Sequence, residues 1–307
     1  MNNPRFEFPS PVPRPGNRSG RKQDSVHGLA LPPLTWRQEG IAYAGIIKVQ
    51  IRTQLIYRAD FLFGLIGILT QIYLLKLVWT AVFPESGSAA GTDGSRITLS
   101  TQIAYATLAM LQYWLFNPSR LSIIPDRIRQ GNVVIDLVRP VSFTAQMFFS
   151  QVGTTFAMVP FAVIALPFAL LIGGMQPPAS AGAACAYALS LVPAYLITVL
   201  LSETVSMVAF WTMEIGGIFF IYRMVSQLLS GTLVPLWFMP DRLAALVQWM
   251  PFHATIHTPL SLYLGQLSGP GETLTALGVQ CAWVAVLWLV LRFVWLRAVR
   301  QVVVQGG

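Results

Sequence analysis

The sequence predicts an all-α integral membrane protein with six transmembrane helices, an N-terminal interfacial helix, and short external re-entrant helices before the last span. Three observations lead there. Of 307 residues, 54% are hydrophobic and only 10% are charged, where a soluble domain carries about 25% charged residues. Apolar windows of the roughly 20 residues needed to cross a hydrocarbon core about 30 Å thick recur along the chain. Lys and Arg fall in alternate loops, as a fixed membrane orientation requires.

Residues 1–34 are basic and Pro-rich, with no apolar stretch. They are expected to form a disordered extension, and they lack the apolar centre of a secretory signal. Residues 35–300 are expected to form one six-span domain, and 301–307 a tail. At its start, Gln38–Arg58 places Ile47, Ile51 and Leu55 at four-residue spacing beside Lys48 and Arg52. That pattern suits a helix lying on the inner membrane surface, basic side chains toward headgroups. The alternative is a simple extension of the first span.

The spans follow in order: Phe61–Phe83; Leu99–Asn117, more polar and aromatic; Phe143–Ile172, interrupted by Pro160 and Pro167; Ala181–Leu201, with an apolar continuation to Trp211; Ile215–Val234; and Leu274–Val294. Proline is tolerated in a span when neighbouring helices satisfy the freed backbone groups. Between the last two spans, Pro235–Gln266 is apolar and aromatic but broken by Pro235, Pro240, Pro251 and Pro259. Short helices dipping into the outer leaflet account for both properties, provided protein shields the irregular backbone; a folded external cap is the alternative.

Orientation follows from the 20 Lys and Arg residues. Nine precede the first span, Arg120, Arg127, Arg129 and Arg139 lie between the second and third, and Arg292, Arg297 and Arg300 close the chain. Only Arg96 and Arg242 lie in the remaining loops. Both termini are therefore expected in the cytoplasm. The +8 net charge is explained by attraction to anionic lipid, without nucleic acid.

Few residues suggest chemistry. Arg223 lies about 12 Å into the fifth span, counted at 1.5 Å per residue, and Ser226, Gln227 and Ser230 follow at helical spacing. This stripe is expected to line a translocation path or a seam between subunits; alternatively Arg223 pairs with Glu203 or Glu214. Lys76 is expected to snorkel to the headgroups. Gly64, Gly67 and Gln71 share a face suited to close helix packing. His253 and His257 stand four apart, but a zinc site needs further ligands, so no metal site is expected. Cys185 and Cys281 sit in apolar runs and form no disulfide framework. No catalytic constellation is present, and no G-x-x-x-x-G-K-[ST] loop holds phosphates.

The densest charge cluster is DRIRQGNVVIDLVRP, Asp126–Pro140, between the second and third spans. Asp126, Arg127 and Arg129 crowd one turn, Gly131 permits a helix stop, and VVIDLV is apolar enough to seek a surface. IRQGNVVIDLVRPVSF (Ile128–Phe143), with YRADFLFGLIG (Tyr57–Gly67), LLSGTLVPLWFMPDRL (Leu228–Leu243) and WMPFHATIHTPLSLYLGQ (Trp249–Gln266), resembles the six-span permease subunits of type-2 ABC exporters over about residues 38–300. The resemblance implies a permease dimer, of identical or related chains, in the cell (inner or plasma) membrane. Each permease rests on a separate cytoplasmic ABC ATPase, which uses ATP and Mg; the permease itself binds no cofactor. The loop carrying Asp126, Arg127, Ile128, Arg129, Gly131, Asp136, Arg139 and Pro140 is implied to couple to that ATPase. The cargo is expected to be small amphipathic molecules, multidrug efflux among the possibilities, since Tyr73, Trp79, Tyr113, Trp114 and Trp211 suggest an aromatic interior. The alternative is an ion-gradient-driven secondary transporter, which would want repeats and midplane ionisable groups; these six dissimilar spans hold essentially one deep charge.

Overall fold

The computed structural model describes residues 35–56, 58–91, 96–116, 122–212, 215–267 and 269–305. The expected N-terminal extension lies outside them. Helix α1 (Trp36–Ile56) begins at Thr35, where the Gln38 side chain reaches back to accept from the Thr35 N–H at 2.9 Å, half of a capping box. It packs along the first half of α6 (Phe143–Leu171). Tyr43 stacks on Phe149 with centroids 4.4 Å apart, and the Gln50 amide donates to Thr154 Oγ1 at 3.2 Å.

Between them in sequence, α2 (Arg58–Val82) runs without proline to a small hairpin. There β1 (Ser88–Ala90) pairs antiparallel with β2 (Arg96–Thr98), Ser88 opposite Thr98. The Thr98 hydroxyl then accepts from the Thr101 N–H and starts α3 (Leu99–Phe116). α3 is buried along most of its length, which explains why it is the most polar expected span. Its Gln102, Thr107 and Gln112 turn toward protein instead of lipid. Two short helices follow, α4 (Ile124–Arg129) and α5 (Val133–Val138). α6 is capped by Ser142 and remains one helix through Pro160 and Pro167. Helix α7 (Ala181–Ser206), capped by Ser180, contains a further proline, Pro193, and runs into a 3-10 turn at Met207–Phe210.

Helix α8 (Gly216–Leu229) is shorter than the predicted fifth span. It stops because Gly231 turns at φ +82°, and the next residues leave the helix axis. The Pro-rich segment folds as a 3-10 turn at Leu236–Phe238, α9 (Asp241–Gln248), a second turn at His253–Thr255, and α10 (His257–Tyr263). The chain ends in α11 (Pro270–Gln305), longer than expected at both ends. Among the described residues, four helices are long and apolar enough to cross a membrane: α2, α6, α7 and α11. α3 is shielded and more polar, and α8 is short, so neither meets that measure alone.

Two apolar clusters mark opposite ends of the bundle. One joins Phe83, Ile97, Tyr105, Trp237, Leu260 and Tyr263, gathering the hairpin and the Pro-rich segment. The other joins Ile124, Val133, Phe143, Leu200, Met207 and Leu291, gathering α4 and α5 with the ends of three long helices. Outward faces are apolar: Phe63 and Ile66 on α2, Val163 and Ile164 on α6, Leu289 and Phe293 on α11 are all exposed. Exposed apolar area on this scale suits lipid, not water.

Close packing falls elsewhere than the glycine face expected on α2. Gly64 meets only the Trp114 indole and Gly67 faces open space, whereas a Cβ on Gly153 of α6 would lie 2.8 Å from Gln50 Cβ and 2.9 Å from the Ile47 carbonyl of α1. Lys76 does not simply snorkel: its Nζ donates to the Ile172 carbonyl at the end of α6, 2.6 Å away. A cation there answers the negative end of the helix dipole. The aromatic interior is narrower than expected, since Tyr73 and Trp211 are exposed.

Gly153→Val should therefore push α1 off α6 and cost about 1–3 kcal/mol. The check is a lowered thermal midpoint together with faster proteolysis within residues 36–56.

Candidate coupling bend and buried polar stripe

The charged loop is built as a braced bend. α4 closes with the Gly131 N–H on the Ile128 carbonyl and the Asn132 N–H on the Arg127 carbonyl, with Gly131 at φ +70°. This is a Schellman stop, for which glycine carries no Cβ penalty. The chain reverses into α5, and Asp136 swings back toward α4. Its side chain is fully buried and accepts from two guanidinium nitrogens of Arg127, Nε at 2.7 Å and Nη2 at 2.6 Å. Arg139 approaches the same carboxylate at 3.5 Å. The Gln146 amide, from the first turn of α6, donates to the Asp136 and Val141 carbonyls. A bidentate fork fixes direction as well as distance, so α4, α5 and the start of α6 are tied together.

The bracing decides which side chains remain available. Arg127 is committed to Asp136, and Ile128 packs on the apolar core. Asp126, Arg129, Arg139 and Pro140 are exposed, as are Val134, Ile135 and Val138 along one side of α5. The sequence named these residues but missed the Arg127–Asp136 pairing; opposite charges nine positions apart across a glycine stop were its signal.

The stripe on α8 is partly assembled. Ile218, Phe220, Ile221, Met224, Val225 and Leu228 are exposed on one side, while Tyr222 and Ser226 are buried on the other. Arg223 and Gln227 lie beside the Tyr113 ring of α3, and Arg223 Nε is buried without a hydrogen-bond partner. A crevice of about 10 Å³, room for roughly one water, is lined by Tyr113, Thr198, Tyr222, Ser226 and Thr255. Ser230 stands apart, as the residue capping α8, with its hydroxyl 2.7 Å from that of Thr232. No ion pair joins Arg223 to Glu203, whose carboxyl is buried on α7 with Oε1 unpartnered; Glu214 lies outside the described residues.

The histidines do not converge. His253 is buried with Nδ1 2.7 Å from the Met250 carbonyl, and burial holds its pKa below the usual value. His257 instead meets Tyr105 and Ser261. Among the described residues, no three His, Cys, Asp or Glu side chains group as metal ligands.

A family model described as "ABC-2 family transporter protein" matches residues 68–306, from the middle of α2 through α11. The chain belongs to the ABC-2 transporter family. No curated protein matches it. This ABC-2 chain is thus an all-α membrane protein of the permease type, and membrane subunits of the family work with ABC ATPases. The match begins after Tyr57–Gly67, the earliest of the resembling passages, and includes the bend, the stripe and the Pro-rich segment.

Asp136→Asn should loosen the bend. It is expected to speed amide exchange across residues 124–139 and to cost about 1.5–3 kcal/mol, the range for hydrogen bonds to a charged group. Arg127→Lys should fall between, keeping the charge but losing the fork.

Proposed function

We propose that this chain is the transmembrane permease subunit of an ATP-driven exporter in the cell membrane. It pairs with a second copy or a related permease, and a separate cytoplasmic ATPase supplies the energy from ATP and Mg. The observation that carries the reading is the braced bend. Val134, Ile135 and Val138 form an apolar patch at the tip of a polar segment, and the segment behind them packs against the ends of α6, α7 and α11. A push on that patch has somewhere to go. The bracing passes displacement into three long helices instead of dissipating it in a loose loop.

In this reading α2, α3, α6, α7, α8 and α11 cross the bilayer, α1 lies at the inner surface, and both termini are cytoplasmic. The Pro-rich segment closes the external end. The uncovered apolar side of α8 meets the second permease, and Arg223, Ser226 and Gln227 border the path between them, with Ser230 at its external end. Cargo is small and amphipathic, drugs included.

Val134→Asp with Ile135→Asp should abolish co-purification of the ATPase while the permease keeps its thermal midpoint. Retention of the ATPase at wild-type stoichiometry would remove the bend from the coupling role. Separately, Arg223→Gln should lower vesicle transport about tenfold, the worth of roughly 1.4 kcal/mol, with the permease pair and the bound ATPase intact. Full transport by a variant whose pair dissociates would assign Arg223 to the seam instead.

A further inference from the structure

The end of the bundle opposite the coupling bend holds a second cavity, of about 390 Å³. That lies within the range of pockets that take small organic ligands, roughly 300–1,000 Å³. Its walls come from α9, α10 and the 3-10 turn before them, three short elements locked together by packing. Met239, Val247 and Leu236 are buried behind α9, and Leu260 and Tyr263 anchor α10 in the cluster with Tyr105. Its lining mixes apolar side chains, Leu236, Trp237 and Ala245, with polar ones, Asp241, Gln248, His257, Ser261 and Gln266. Asp241, Ala245 and Gln248 share one face of α9.

The charge inside is one-sided. Asp241 is exposed, and no ion pair joins it to another described residue. Arg242 follows it on α9 but does not line the cavity. A carboxylate that lines the same space as amide, hydroxyl and apolar side chains matches a molecule with an ammonium at one end and an apolar body. We propose that this cavity is a binding site for small organic ammonium compounds.

The site is also wired to α8. The His257 imidazole, in the cavity wall, lies 3.3 Å from the Tyr105 hydroxyl, and that hydroxyl donates to the Gly231 carbonyl at 3.0 Å. Gly231 is the turn that ends α8, and a Cβ there would come within 2.7 Å of the Tyr105 hydroxyl. A ligand against His257 therefore stiffens the connection between α8 and the Pro-rich segment.

The test uses the full chain in nanodiscs without ATPase or nucleotide, so it is independent of the transport reading. The probe is dansylcadaverine, a fluorescent primary amine, with dansylamide as its neutral counterpart. Saturable fluorescence enhancement is expected with the amine and not with the amide. Asp241→Asn should weaken binding about tenfold, in line with loss of one charged hydrogen bond. Ala245→Trp, filling the cavity from the exposed side of α9, should abolish binding. Gln266→Trp fills it from the segment after α10, should Ala245→Trp lower the thermal midpoint. Wild-type affinity in both filled variants would overturn the site, as would an equal signal from empty nanodiscs. Equal affinity for the neutral probe, or for Asp241→Asn, would overturn the ammonium assignment.

Discussion

Three glutamine side chains hold this molecule's interior together. Backbone that is neither helix nor closed sheet cannot rest in an apolar solvent unless its N–H and C=O groups find partners. The Pro-rich segment before α11 is such backbone, and its 3-10 turn at His253–Thr255 reaches into the bundle. Gln112 of α3 donates to the Thr255 carbonyl at 2.8 Å, and Gln280 of α11 donates to the Ala254 carbonyl at 2.8 Å. Near the hairpin, Gln102 accepts from the Trp237 indole N–H at 3.1 Å. Tyr187 and Ser190 of α7 then bind the Gln112 and Gln280 amides in turn. Helices α3, α7 and α11 are thereby positioned by the segment they shelter.

The opposite end obeys different physics. In the proposed orientation the bend between α4 and α5 meets water, so it does not need internal partners to exist. It has them nonetheless, in a fully buried carboxylate gripped by a guanidinium fork. Ion pairs of this kind are weak evidence for stability but good evidence for a fixed geometry. The exposed apolar side of α5 is thus held at a set angle to α6, with an apolar cluster behind it that reaches the ends of the long helices.

Most of the architecture was legible because apolar length is a strong signal. The boundaries of α3, α6 and α7 follow the apolar runs and their Thr or Ser caps. The interfacial pattern of Ile47, Ile51 and Leu55 also marks a real helix. What escaped were features that depend on a partner distant in sequence. Gly153 looks ordinary until α1 lies across it. Lys76 looks like an end-of-span lysine until the last turn of α6 arrives beside it. The buried amides of α3 read only as a dilution of hydropathy, although Gln in an apolar run is itself the signature of an interior bond. Of the stripe named on α8, Ser226 is buried while Ser230 caps the helix, because Gly231 was not recognised as the stop. Arg223 and Glu203, opposite in sign and both inside apolar runs, suggested a pair that the fold does not make.

The brevity of α8 has a consequence for its surroundings. Fourteen residues rise about 21 Å at 1.5 Å each, some 9 Å short of a typical hydrocarbon thickness of about 30 Å. In the six-span arrangement proposed above, lipid beside this helix must dimple inward, or headgroups and water must follow the chain to its ends. In that arrangement the barrier is thin along the helix that carries Arg223 in its middle, so water and headgroups lie close to that charge.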